Sequence, residues 1–233
     1  MSPENGVDRL SWESVVGRPP DQHEAQPRFR TQREFGSISD GSINFERRIT
    51  LSQVDWILAP IMSVETKLPT LPNVGTVADA VNVLRALVFA KAAEIYDAPR
   101  FAFGLVATRQ TDSAAQSYRE LEVLLKNLTL NLEGASDFLY QINRPRTSMT
   151  VPGLKINRLS RWMSTTTAGL RIVVPAHGSV ERKSDSPIHA TRVELDISTA
   201  VERDAPLPSE SRAALIDELV RLATEQLTTG DTP

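Results

Sequence analysis

Phe138-Leu139-Tyr140-Gln141-Ile142-Asn143-Arg144-Pro145-Arg146, followed after a short turn by Leu154-Lys155-Ile156-Asn157-Arg158-Leu159-Ser160-Arg161-Trp162, is the stretch on which the fold turns. Phe138 to Ile142 is apolar and aromatic, as a strand requires, and it runs directly into an Ile-Asn-Arg phrase that recurs at Ile156. Between the two phrases Thr147 to Gly153 carries Pro152 and Gly153, which favour a turn. A hairpin turning there makes the two segments antiparallel neighbours and sets the two phrases side by side. Leu154 to Ile156 and Gly169 to Val174 read as short strands around a loop-like Ser164 to Thr167, and Gly178 to Pro187 as a polar turn.

Downstream, Val193, Leu195 and Ile197 alternate with Arg192, Glu194 and Asp196, the period of a half-exposed strand. After Pro206 and Pro208, Leu215, Leu219, Leu222, Ala223 and Leu227 line one face of a last helix whose charged side suits the surface. Upstream, Ile43 to Ile49 and Val54 to Leu58 read as two strands joined near Leu51 to Gln53, with Pro60 marking an edge. Thr76 and Asp79 form a capping-box variant ahead of Val77, Val81, Leu84, Val88, Ala92 and Ile95. Because Ala86, Leu87, Phe89 and Ala90 widen its apolar surface, that helix is expected to be the central core helix. Phe101 to Ala107 reads as a buried strand, with Gly104 allowing close packing, and Ser113 to Leu132 as a second helix packed on a sheet.

Together these elements predict an α+β fold, a mainly antiparallel sheet against two to three helices. Residues 1–40 are polar and broken by Pro and Gly, and they read as a flexible tail ahead of one domain spanning 41–230. Within that tail Leu10, Trp12, Val15 and Val16 suit a single helical turn that packs back on the domain. At 233 residues, 40% of them hydrophobic, the chain has enough material for a substantial core. It has no cysteine, which removes disulfides, thiolate metal sites and cysteine nucleophiles and suits a cytoplasmic protein. No apolar run is long enough for a membrane span and no secretory leader is evident.

The same stretch carries the functional signal. Between Asp137 and Glu181 there is no acidic residue, while Arg144, Arg146, Lys155, Arg158, Arg161 and Arg171 are all present. The other 20 basic residues face all 29 acidic ones, so this block is a local exception in a chain of net charge -3. Arg grips carboxylates and phosphates with two parallel donors, and Asn adds a neutral donor and acceptor. Asn143, Arg144, Arg146, Lys155, Asn157, Arg158, Arg161 and Trp162 are therefore the candidate contact residues, with Trp162 as an apolar anchor.

The first reading is a non-enzymatic cytoplasmic module that binds an acidic protein partner or a second copy of itself. Nucleic-acid binding through the same patch is the second reading, although no recognised binding module is present. The third is an enzyme acting on a phosphorylated or carboxylated substrate, which needs His177 or His189 near the arginines. No nucleophile elbow or phosphate loop supports catalysis, and no cofactor or metal is expected. Where an Arg of the block does not meet a partner, pairing with the acidic surplus of its own chain is its expected fate.

Overall fold

In a computed structural model, residues 10–61, 71–94, 98–129, 131, 133–168, 170–173, 181–184, 186–200 and 207–232 are described. The fold is α+β, with antiparallel sheets and four α-helices among these residues. The larger sheet has the order β5 (Ala102–Thr111), β11 (Ile188–Thr199), β8 (Lys155–Thr167), β6 (Leu139–Asn143), with β7 (Arg146–Thr147) also on β8. The expected hairpin is present. Asn143 lies opposite Leu159 and Arg146 opposite Ile156, and the Ser148 amide closes the turn on the Leu154 carbonyl at 2.7 Å. Two helices, α3 (Ala114–Leu124) and α4 (Arg212–Thr229), cover one face of this sheet. They bury Tyr118, Leu121, Leu215, Leu219, Leu222 and Ala223 against Phe103, Ile156, Trp162, Val193, Leu195 and Ile197. Each of the Leu, Ile, Val and Phe side chains contributes about 1.5–3 kcal/mol when fully buried.

A second sheet has the order β1 (Gln22–Gln26), β2 (Thr31–Ile38), β3 (Ile43–Ile49), β4 (Val54–Pro60). Trp12 on α1 (Trp12–Val16) packs on it, with ring centroids 5.5 Å from Phe45 and 6.3 Å from Trp56. The expected turn from Leu10 to Val16 thus packs back on its own chain. Between the two cores stands α2 (Val77–Leu87), whose Thr76–Asp79 capping box forms as expected. Val81 belongs to one core and Val88, just past the helix, to the other, while Leu84 packs against both. The small hairpin of β9 (Leu170–Val173) and β10 (Glu181–Ser184) pairs separately.

Several expectations are corrected. Residues 10–40 are not a tail throughout, since they supply α1, β1 and β2. Their polarity conceals strands because the pairing surface is ionic: Arg33 holds Glu46 at 2.8 Å and Arg47 holds Glu34 at 3.0 Å across neighbouring strands. Ser164 to Thr167 is not a loop but the end of β8, paired to Ile188–Thr191. Glu181–Ser184, expected in a turn, is β10. The central core helix is α4 rather than α2, which has Val81 as its one fully buried residue. The apolar breadth of α2 fails to project as one face because the α-helix ends at Leu87 and a tighter 3₁₀ segment runs from Phe89 to Glu94. β5 is an edge strand, so only its inner residues such as Phe103 are buried.

Helix α3 stops at Leu124 rather than 132 for a local reason. Asp231 donates its backbone N–H to the Leu124 carbonyl at 3.0 Å, and Gly230 lies so close that a Cβ there would stand 1.9 Å from the same oxygen. The segment that follows α4 caps the helix, and only glycine, here at φ +80°, fits the crossing.

Candidate functional site

The hairpin brings the two Asn-Arg phrases together. Asn143 Nδ2 donates to Asn157 Oδ1 at 3.1 Å, its Oδ1 accepts the Arg158 amide at 2.9 Å, and the Arg144 amide donates to the Arg158 carbonyl at 3.2 Å. The asparagines thus bind one another across the strands. Alternation along β8 then separates the basic residues into two groups. Lys155, Asn157 and Arg161 stand with Asn143 on the open side of the sheet, whereas Arg158 and Trp162 point under the helices.

Trp162 is 0% exposed, and its Nε1 donates to Ser160 Oγ at 2.9 Å. It is a core residue, so its expected role as a surface anchor is withdrawn. Arg158 is 3% exposed, and its pKa is lowered, burial being the foremost cause. It is likewise unavailable as a surface contact. Arg144 forms a two-pronged ion pair with Asp231, at 2.6 and 2.8 Å, and Tyr140 donates its hydroxyl to the same carboxylate at 3.0 Å. The Arg144 hydrogen bond drives the Asp231 carboxyl below its ordinary range, while burial first and then that carboxylate raise the Tyr140 phenol. Arg146 sits 3.7 Å from Glu225. These arginines meet the acidic surplus of their own chain.

Arg161 is different. Its Nε donates to Gln141 at 2.6 Å, and it shares the single Glu194 carboxylate with Arg192, at 3.4 Å and 2.7 Å. Two guanidiniums on one carboxylate leave a positive surplus among these three groups, while Lys155, exposed on the same side of the sheet, stands six residues away along β8, about 20 Å. Next to this cluster lies a groove of about 550 Å³ lined by Asp137, Phe138, Leu139, Gln141, Arg161, Met163, Ser164 and Glu194. Leu139 is 62% exposed at its rim.

The remaining candidates do not assemble. His23 is exposed on β1, and His177 lies outside the described residues. His189 contacts Thr166 Oγ1 at 3.0 Å; it lies five residues along β11 from the Glu194 that faces Arg161, about 17 Å, and alternation places it on the opposite face of the sheet from Arg192 and Glu194. Among the described residues no group of three or more acidic or histidine side chains is placed to hold a metal. Asp137 accepts from Ser136 Oγ at 3.0 Å, and Asp196 meets Arg100 at 3.5 Å. Sequence reasoning missed Asp231, Glu218 and Glu225, whose only advance signal was the acidic surplus outside the basic block. Compared with protein-family models, curated proteins and solved structures, the chain matches none.

Proposed function

We propose that this chain is a cytoplasmic protein-binding or assembly module rather than an enzyme. Its contact surface is the face of the larger sheet opposite α3 and α4, along β6, β8 and β11. The observation that carries this reading is the groove beside Arg161, where exposed Leu139 and half-buried Met163 adjoin two arginines sharing one carboxylate. Such a surface suits a protein that inserts an apolar side chain and flanks it with carboxylates. Asn143, Lys155 and Asn157 would extend the polar rim. The ion pairs of Arg144 and Arg146 weigh against the nucleic-acid reading, because those guanidiniums are already engaged. The position of His189 weighs against a histidine acting beside the arginines.

Affinity capture followed by direct titration of the purified partner tests the assignment. Leu139→Arg and Arg161→Glu should each weaken binding by at least about tenfold, as loss of a central interface contact does. Val123→Arg, on α3 at a position 74% exposed on the opposite layer, should leave affinity unchanged. A partner that binds the Leu139 and Arg161 variants as tightly as the parent overturns the reading.

A further inference from the structure

We infer that two copies of this chain pair through β5, antiparallel and in a register centred on Leu105, to join their larger sheets into one. This rests on different residues from the groove. β5 is a ten-residue edge strand, and among the described residues no strand pairs with its outer side from Ala102 to Arg109. Natural edges are commonly blunted by charge, proline or a bulge. From Ala102 to Thr108 this edge has no charged residue and no proline. It pairs with β11 without interruption from Ala102 to Thr111.

Gly104 provides the second observation. A glycine inside a strand is destabilising, because it loses more conformational freedom and packs nothing. Among the described residues no neighbour requires it: its φ is not in the left-handed region, and of those residues an added Cβ would meet the Leu195 carbonyl, at an ordinary 3.6 Å. Two residues on, Val106 projects from the same face and is 56% exposed.

A two-fold axis through Leu105 places Val106 of each copy over Gly104 of the other. On the inner face it sets Phe103 against Ala107, and towards the strand ends it sets Ala102 against Thr108 and Phe101 against Arg109. Every flanking pair joins a larger side chain to a smaller one or a cation to an aromatic ring, and no charge meets its own mate. Centring one residue later would drive Val106 against itself and waste the space at Gly104. The partner is therefore a second copy, in an isologous contact.

Light scattering on the full chain should give twice the monomer mass of 25.7 kDa, falling towards the monomer on dilution. Val106→Lys should shift the protein to monomer with unchanged circular dichroism. Gly104→Val separates this role from a structural one. It should raise the melting temperature of the monomer, since a β-branched residue suits a strand, and yet weaken the dimer. As the chain has no cysteine, Leu105→Cys should yield a disulfide-linked dimer on oxidation, while Ala107→Cys, about 14 Å from its mate in this register, should not. A parent protein that is monomeric at all concentrations overturns the inference. So does a dimer that cross-links equally well through residue 107, or one that Gly104→Val leaves intact.

Discussion

Asp231 is 0% exposed, and its two carboxylate oxygens are occupied by Arg144 and Tyr140, while its backbone N–H bonds the Leu124 carbonyl and its own carbonyl accepts from Asn127. One residue thereby ties β6, the end of α3 and the segment after α4. Asp231→Ala should cost about 2–3 kcal/mol, towards the lower end for a broken buried pair because the Arg144 side chain keeps 26% exposure and recovers some hydration. The melting temperature of a chain this size should fall by about 4–12 °C. In a double-mutant cycle with Arg144→Ala the two losses should be clearly less than additive, and additive losses would show that the pair is not coupled. The Asn-Arg phrases were legible in the sequence as neighbours, because turn chemistry sets a hairpin. Which of their side chains face solvent was not. The inner residues of β8 run Ile156, Arg158, Ser160, Trp162 and the outer ones Asn157, Leu159, Arg161, Met163, so neither set is the more apolar and a one-residue shift exchanges them. For that reason the pattern alone suits Arg158 and Trp162 to either side of the sheet.

At the scale of elements, α4 holds more than its apolar stripe suggests. Glu218 is 5% exposed on the buried side of α4, and its carboxylate accepts the Ser148 hydroxyl at 2.6 Å and the amides of Met149 and Thr150 at 2.7 and 3.2 Å. The β7–β8 turn is therefore fastened to the helix by one side chain. Burial alone would raise the Glu218 pKa, but those hydrogen bonds outweigh it and the net shift is downward. Glu218→Gln keeps the shape but replaces one acceptor oxygen with a donor facing donors. It should cost about 1–3 kcal/mol and speed hydrogen exchange at the Met149 and Thr150 amides, while exchange in β11 slows or quickens only with global stability. Protected turn amides in the variant would assign the loop's order to its own sequence. The sequence revealed most elements through periodicity and caps, including α2, β3, β4, β6 and β11. It misjudged their burial, because a helix is classed as core or surface by what covers it, and residues such as Glu218 and Arg212 of α4 are buried through polar contacts that hydrophobic patterning does not record.

Across the whole molecule, charge is organised in pairs that bind distant segments, and this gives stability a direction in pH. Six described carboxyls lie below their ordinary values: Asp231 through Arg144, Glu46 through Arg33, Glu194 through Arg192, Glu218 as the hydrogen bonds of the β7–β8 turn overcome its burial, Asp21 through Arg18, and Asp79 through Thr76 of its capping box. A carboxyl lowered in the folded state binds a proton more readily when the chain unfolds. Its stabilisation is complete above the unfolded value of about 4 and is lost as pH falls through the lower folded value. The melting temperature should therefore change little between about pH 6 and pH 8 and drop steeply below about pH 4, where protonation also leaves the 26 Lys and Arg residues uncompensated. The pairing arginines identify the source. An Arg33→Ala/Arg144→Ala variant should be less stable than the parent at neutral pH yet lose less on acidification, because Glu46 and Asp231 then titrate nearer their unfolded values in both states. Melting curves across this range decide the matter: an acid loss as large in the variant as in the parent would place the sensitivity in general charge repulsion, and a smaller one places it in these two cross-links.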